Sequence, residues 1–194
     1  MTPSARRTER IRSVLQHRQP DLTVVMENIH DPHNVSAILR SCDAVGVLGV
    51  ELLYTVENFP KIGKKSSSSA NKWLERRKHT SVSDCFSLLH REGYRILATR
   101  AEATSLSLYE CDLTLPTAFV FGNEHRGVSD EAAGQADLSV HIPMVGMIES
   151  LNVSVAAAVC LYEAFRQRMI RGGYERNRLV ADRFSALFED WIKR

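Results

Sequence analysis

Apolar residues along this chain fall into short, nearly unbroken runs, separated by stretches in which they recur every three or four positions. Leu22–Met26, Val50–Tyr54, Tyr94–Thr99, Ala118–Phe121 and Leu138–Ile142 have strand length. A run with little polar alternation predicts a strand buried on both faces, the habit of parallel sheets. Between the runs the spacing turns helical. Residues 4–18 predict a basic amphipathic helix with Ile11, Val14 and Leu15 on one side, stopped by Pro20. Further helices are predicted over Val35–Gly46, with Gly46 ending the first, then Ser83–Arg91, Asp130–Ala136, Val153–Met169 and roughly Asn177–Lys193. The last of these carries Leu179, Phe184, Leu187, Phe188 and Trp191. Strands alternating with helices predict an α/β fold, a parallel sheet joined by right-handed crossovers. Residues 58–72 break the rhythm with Pro, Gly, four consecutive serines and several lysines, and read as a long polar loop.

Length changes this picture little: 194 residues suit one domain. The 44% hydrophobic and 25% charged content is that of a globular protein, and no apolar run approaches the ~20 residues that span a bilayer, so no membrane partner is expected. Met1–Gln19 is Arg-rich without an apolar centre, unlike a secretory leader. The four cysteines, Cys42, Cys85, Cys111 and Cys160, form no CxxC pair. Structural metal is therefore not expected, and a reducing, cytoplasmic location fits best.

Charge adds more. The net value is only +2, but residues 1–18 hold five Arg and one Glu, and 61–79 hold seven Lys or Arg and one Glu. Residues 163–194 hold eight bases against five acids, which leaves the rest of the chain acidic. Three basic segments on an acidic body suggest a polyanion partner; solvated helix faces are the plainer alternative. Trp73 followed by Arg76, Arg77 and Lys78 favours RNA, with bases for phosphate and an aromatic to pack or stack.

The chemistry has to lie in the loops at the strand ends. GxGxxG after the first strand, GxxxxGK[ST], GxSxG and HExxH are all absent. What remains is Asn34 and, six residues on, Arg40 in the first crossover helix; Gly122-Asn-Glu-His-Arg-Gly127 at a strand end; and Ser150-Leu-Asn-Val-Ser154 before an apolar helix. Taken singly, Asn34 and Asn152 read as helix caps and Glu124 beside Arg126 as a surface pair. Arg40 sits in a helix that otherwise looks packed and needs an acid or a phosphate. Their joint placement at strand ends favours a site.

These residues carry a resemblance. NVSAILRSCDAVGV, FVFGNEHRGVS and IPMVGMIESLNVSVA, in this order, resemble the three motifs of the SPOUT (SpoU) RNA ribose 2′-O-methyltransferases, most closely the TrmH-type tRNA enzymes. Glu149 departs from the pattern, standing where Gln is expected in relatives. The resemblance implies a SPOUT-type α/β knot, a deep C-terminal trefoil with added terminal helices: a single domain with a basic helix over 1–19, a catalytic core over 20–169 and a C-terminal helix over 170–194. It implies S-adenosylmethionine as cofactor, held by Thr99, Arg100, Ala101, Gly122, Glu124, Ile142, Met144 and Leu151. Arg40, Asn34, Glu124, Ser150 and Asn152 become the expected catalytic set. Arg6, Arg7, Arg10, Lys61, Lys64, Lys65, Lys72, Arg166 and Arg168 become the expected RNA contacts. A homodimer acting on tRNA at guanosine 18 of the D-loop is implied, with ribosomal RNA, another tRNA position or a non-catalytic RNA-binding role as alternatives.

Overall fold

The computed structural model describes residues 4–60, 70–102 and 104–194. Lys61, Lys64 and Lys65 lie outside the described residues. Seven strands are found among these residues: β1 (Leu22–Glu27), β2 (Gly49–Leu53), β3 (Glu75–His79), β4 (Arg95–Thr99), β5 (Leu106–Ser107), β6 (Thr117–Phe121) and β7 (Leu138–His141). They form one parallel sheet in the order β3-β2-β1-β6-β4-β7-β5. The helices are α1 (Ala5–Gln16), α2 (Pro32–Ala44), α3 (Val82–Arg91), α4 (Asp130–Gln135), α5 (Val153–Ile170) and α6 (Ala181–Lys193). The central strands β1 and β6 are buried along their whole length, as their unbroken apolar runs require.

Alternate residues of each strand feed two cores. Val24, Met26, Leu97, Phe119 and Phe121 pack under α2 and α5 with Ile38, Leu39 and Leu161. Val25, Ala98, Ala118 and Val120 pack under α3 and α4 with Phe86, Leu89 and Ala132. A third cluster joins Ile11 and Leu15 of α1 to Leu187 and Trp191 of α6, with Leu48 and Trp73 beside them. The terminal helices therefore pack on one another within the chain. Each fully buried Leu or Trp there stabilises the fold by about 1.5–3 kcal/mol.

Strand β3 was not predicted. Its sequence, ERRKH, has no apolar residue and reads as RNA-binding loop. It is an edge strand paired to β2, and charge suits an edge because it discourages pairing with other chains. Arg77 is consequently not a phosphate contact: it bonds Glu51 at 2.7 Å and Glu92 at 2.5 Å. Trp73 packs against Trp191 with ring centroids 5.1 Å apart. Arg18, counted in the basic N-terminal segment, is fully buried and paired with Asp43 at 2.5 Å.

Candidate active site

The site assembles at the carboxyl edge of the sheet. There the chain leaves β1 through His30 and Asp31 into α2. Asp31 caps that helix, its carboxylate accepting from the His33 N–H, and Pro32 occupies the first turn. Asn34, expected to be the cap, is instead inside the first turn and buried. A capping Asn commits its oxygen to the backbone; here both ends of the amide are available to other loops. Asn34 Nδ2 donates to Glu124 Oε1 at 2.9 Å, and Asn34 Oδ1 accepts from Asn152 Nδ2 at 3.1 Å.

Glu124 stands in the loop after β6. Besides Asn34, its carboxylate accepts from the backbone N–H of His30 at 2.9 Å and of Asp31 at 3.0 Å. Burial by itself raises the carboxyl, but the hydrogen bonds from Asn34, His30 and Asp31 outweigh it and hold Glu124 below its ordinary value. Asn152 is the expected cap of α5, its Oδ1 accepting from the N–H groups of Ser154 and Val155. One hydrogen-bonded chain, Glu124–Asn34–Asn152, thus ties together three loops far apart in sequence.

The loop carrying Glu124 is shaped by glycine and asparagine. A Cβ on Gly122 would lie 2.0 Å from the Gly127 backbone, and Gly127 has φ +68. Only a bare backbone at the first position and an unhindered one at the second allow this turn. Asn123 Nδ2 donates to the Asn28 carbonyl at 2.8 Å, while its Oδ1 accepts from the His125 and Arg126 N–H groups. Asn28 has φ +50, and its Oδ1 accepts from the N–H groups of Thr55, Val56 and Glu57. Sequence reasoning missed both asparagines. The available signal was an Asn within two residues of the end of a buried strand, in ENIH and in GNEH.

Two clefts flank this framework. One, of about 170 Å³, is lined by Thr99, Arg100, Ala101, Ile142, Met144 and Leu151, six of the eight expected cofactor residues, together with Glu149 and Ser150. The other, of about 490 Å³, holds the remaining two, Gly122 and Glu124, with Ser150 and Asn152. Thr99, Ser150, Leu151 and Ala156 belong to both. Arg100 is engaged by Glu102 at 2.7 Å and Asp130 at 2.6 Å.

Arg40 is not brought to this cluster. It is exposed and lines neither cleft, although a packed position was expected. The helix uses Val35, Ile38, Leu39 and Cys42 for packing. At 3.6 residues per turn, six residues turn Arg40 about 120° away from Asn34. Among the expected RNA contacts, Arg6, Arg7 and Arg10 are exposed on α1 and Lys72 is exposed beside β3. Arg166 is exposed but held by Glu163 at 2.8 Å. Arg168 contradicts its expected role. It is 1% exposed, pairs with Asp21 at 2.6 Å and donates to the Leu113 and Leu115 carbonyls, so it holds the fold and reaches no phosphate.

This geometry can be set beside known proteins. Residues 21–162 match the model of the SpoU rRNA Methylase family. The chain belongs to the SpoU methylase family. It is 46% identical over 188 residues to a tRNA (guanosine(18)-2′-O)-methyltransferase of Thermus thermophilus, covering 97% of this chain and 96% of that one. The crystal structure of the A. aeolicus TrmH/SpoU tRNA modifying enzyme superposes with a TM-score of 0.91 at 39% identity, over 97% of this chain and 95% of that chain. The SpoU methyltransferase AviRb from Streptomyces viridochromogenes, solved with AdoMet, has a TM-score of 0.68 at 27% identity, over 80% and 62% of the two chains. In this SpoU chain the three motifs are the three loops joined by Glu124, Asn34 and Asn152.

Proposed function

We infer that this chain transfers the methyl group of S-adenosylmethionine to a ribose 2′-hydroxyl of tRNA, at guanosine 18. The observation that carries the reading is the Glu124–Asn34–Asn152 chain, which locks the three family motifs together beside the two merging clefts. Whole-length similarity to enzymes named for guanosine 18 sets tRNA above ribosomal RNA. The intact polar set favours an enzyme over a non-catalytic RNA-binding protein.

The residues present suit the cofactor. The smaller cleft has apolar walls from Ile142, Leu151 and Ala156 and polar ends at Thr99 and Ser150; beside it, the buried His141 Nδ1 has no partner among the described residues. When bound, S-adenosylmethionine supplies an electrophilic methyl group on a sulfonium. Thr99, Arg100, Ala101, Ile142, Met144 and Leu151 hold it, and Gly122 gives the Glu124 loop the close turn it needs. Asn34, Glu124 and Asn152 fix the loops that meet there, and Ser150 bounds the space shared by both clefts. A guanidinium keeps its proton in proteins and has no acceptor, so a simple base is not the part Arg40 plays. Its role is to hold the RNA phosphate beside the reacting ribose and to stabilise the oxygen as its proton passes to that phosphate or to water. Arg6, Arg7, Arg10, Lys72 and Arg166 supply further phosphate contacts, with Lys61, Lys64 and Lys65.

The pocket is completed by a second copy. Val155, Tyr162, Met169 and Ile170 of α5 and Val145, Met147 and Ile148 of the preceding loop are exposed apolar side chains, a surface suited to an isologous contact. Arg40, turned away from its own Asn34, then serves the partner's pocket. A trefoil knot is supported by the strand order: β7 lies between β4 and β5, so the short link from β4 to β5 crosses the edge at which the chain leaves β7 for α5. The chain is one domain, and a cytoplasmic site of action fits its tRNA substrate. Methylation of an unmodified tRNA transcript with labelled cofactor, followed by nucleotide mapping, tests the reading. Label at guanosine 18, absent from a 2′-deoxyguanosine 18 transcript, is expected; label confined to another nucleotide overturns it.

A further inference from the structure

The Arg126 side chain has no part in the framework described above, yet the residue stands two positions after Glu124 and lines the larger cleft. Its side chain is 58% exposed and makes one contact among the described residues, Nη2 to Glu57 Oε1 at 2.9 Å. A guanidinium carries five N–H donors, so most of this fork is unused. Glu57 also faces His30 Nδ1 at 3.6 Å. One carboxylate therefore stands between the Arg126 guanidinium of the β6 loop and the His30 ring of the β1 loop, beside the cleft that holds Glu124 and Asn152. The Glu57 backbone is anchored, because its N–H donates to Asn28 Oδ1 at 3.1 Å. It also lies four residues before Lys61, where the basic segment begins. A loop arginine is by default only solvated. This one differs in having a fixed anion placed on it at the mouth of a polar cleft.

We propose that Arg126 binds a phosphate of the substrate RNA, and that Glu57 takes the place of that phosphate in the free protein. The proposal rests on the reading of the chain as an RNA methyltransferase. A planar guanidinium takes a phosphate through two parallel N–H bonds, a better match than its single bond to Glu57. The exposed ion pair is weak and screened, so RNA can displace it. The exchange leaves Glu57 beside His30, and it adds one phosphate contact close to the reacting ribose.

The test is the affinity of an unmodified tRNA transcript across a salt series. Arg126→Ala weakens binding roughly three- to tenfold and lowers the steepness of the salt dependence by about one phosphate contact. Glu57→Gln tightens binding roughly two- to fivefold, because the guanidinium is no longer competed for. That gain disappears in the Arg126→Ala/Glu57→Gln double variant. Unchanged affinity and salt slope in Arg126→Ala overturn the proposal. So does a Glu57→Gln gain that persists without Arg126, since it is then plain repulsion between carboxylate and RNA. Methyl transfer by the unaltered protein is measured alongside. Its absence removes the methyltransferase reading itself, whereas an active enzyme with an indifferent Arg126 overturns only the phosphate contact.

Discussion

Asn34 is the residue on which the candidate site turns, because its amide donates to one loop and accepts from another. Asn34→Asp keeps the shape and reverses the logic: an oxygen replaces the donor 2.9 Å from Glu124. Two carboxyls at that distance do not both ionise, so one is forced to take a proton. We expect this variant to lose methyl transfer and about 1–3 kcal/mol of stability, read by labelled-cofactor assay and thermal unfolding; wild-type activity in a folded variant refutes the arrangement. Glu124 makes a pH prediction. Its folded carboxyl lies below the ordinary 4.5, so the unfolded chain takes the proton first as pH falls. Its contribution to stability is then complete above that ordinary value and is lost as pH drops through the lower, folded value. Glu124→Gln is expected to flatten that acid limb of an unfolding series, and a limb of unchanged depth contradicts it. The sequence alone shows that Asn34, Glu124 and Asn152 belong together through their motifs. It does not show how, since the cap of α2 is decided by Asp31 and Pro32, and Asn34 passes for a cap only when those two are overlooked.

The same contrast holds for whole elements. The strands β1, β2, β4, β6 and β7 were legible because strands inside the sheet carry short apolar runs, and each was placed to within a residue or so at its ends. β3 was illegible because its stability comes from partners outside the window: Arg77 finds Glu51 on β2 and Glu92 beyond α3. β5 has two residues and no pattern to read. The Gly122–Gly127 loop lies between these cases. Its glycines announce a turn, but only the fold shows that Gly122 faces backbone at 2.0 Å. Flexible side chains can yield to a new methyl group; backbone at that distance cannot. Gly122→Ala is therefore expected to displace the loop that carries Glu124. Overpacking of this kind costs about 1–3 kcal/mol, and cofactor affinity should fall with it. A calorimetric titration of S-adenosylmethionine checks this. Unchanged affinity at unchanged melting temperature would mean that the loop relaxes without moving Glu124.

At the scale of the molecule, the chain offers two apolar surfaces with different fates. The apolar faces of α1 and α6 bury Leu15, Leu187 and Trp191 against each other and against Leu48. Amphipathicity reveals that a face needs covering and says nothing of what covers it. The exposed apolar side chains of α5 and its preceding loop stay uncovered within the chain, and we propose a second copy as what covers them. The proposed second copy would also account for the placement of Arg40, which is exposed and directed away from its own Asn34. If each pocket takes Asn152 from one chain and Arg40 from the other, Arg40→Ala and Asn152→Ala are each inactive as pure dimers. In a heterodimer of the two, one pocket receives both intact residues and the other receives both defects. Random mixing makes half the dimers heterodimers, so activity should return to about a quarter of the unaltered level. If both residues serve the same chain's pocket, every pocket in every dimer keeps one defect and no activity returns. Sedimentation at the assay concentration makes the result decisive, because exchange of subunits has to occur for the mixture to speak. A mixture proven to contain heterodimers, and still inactive, would place Arg40 with its own Asn152.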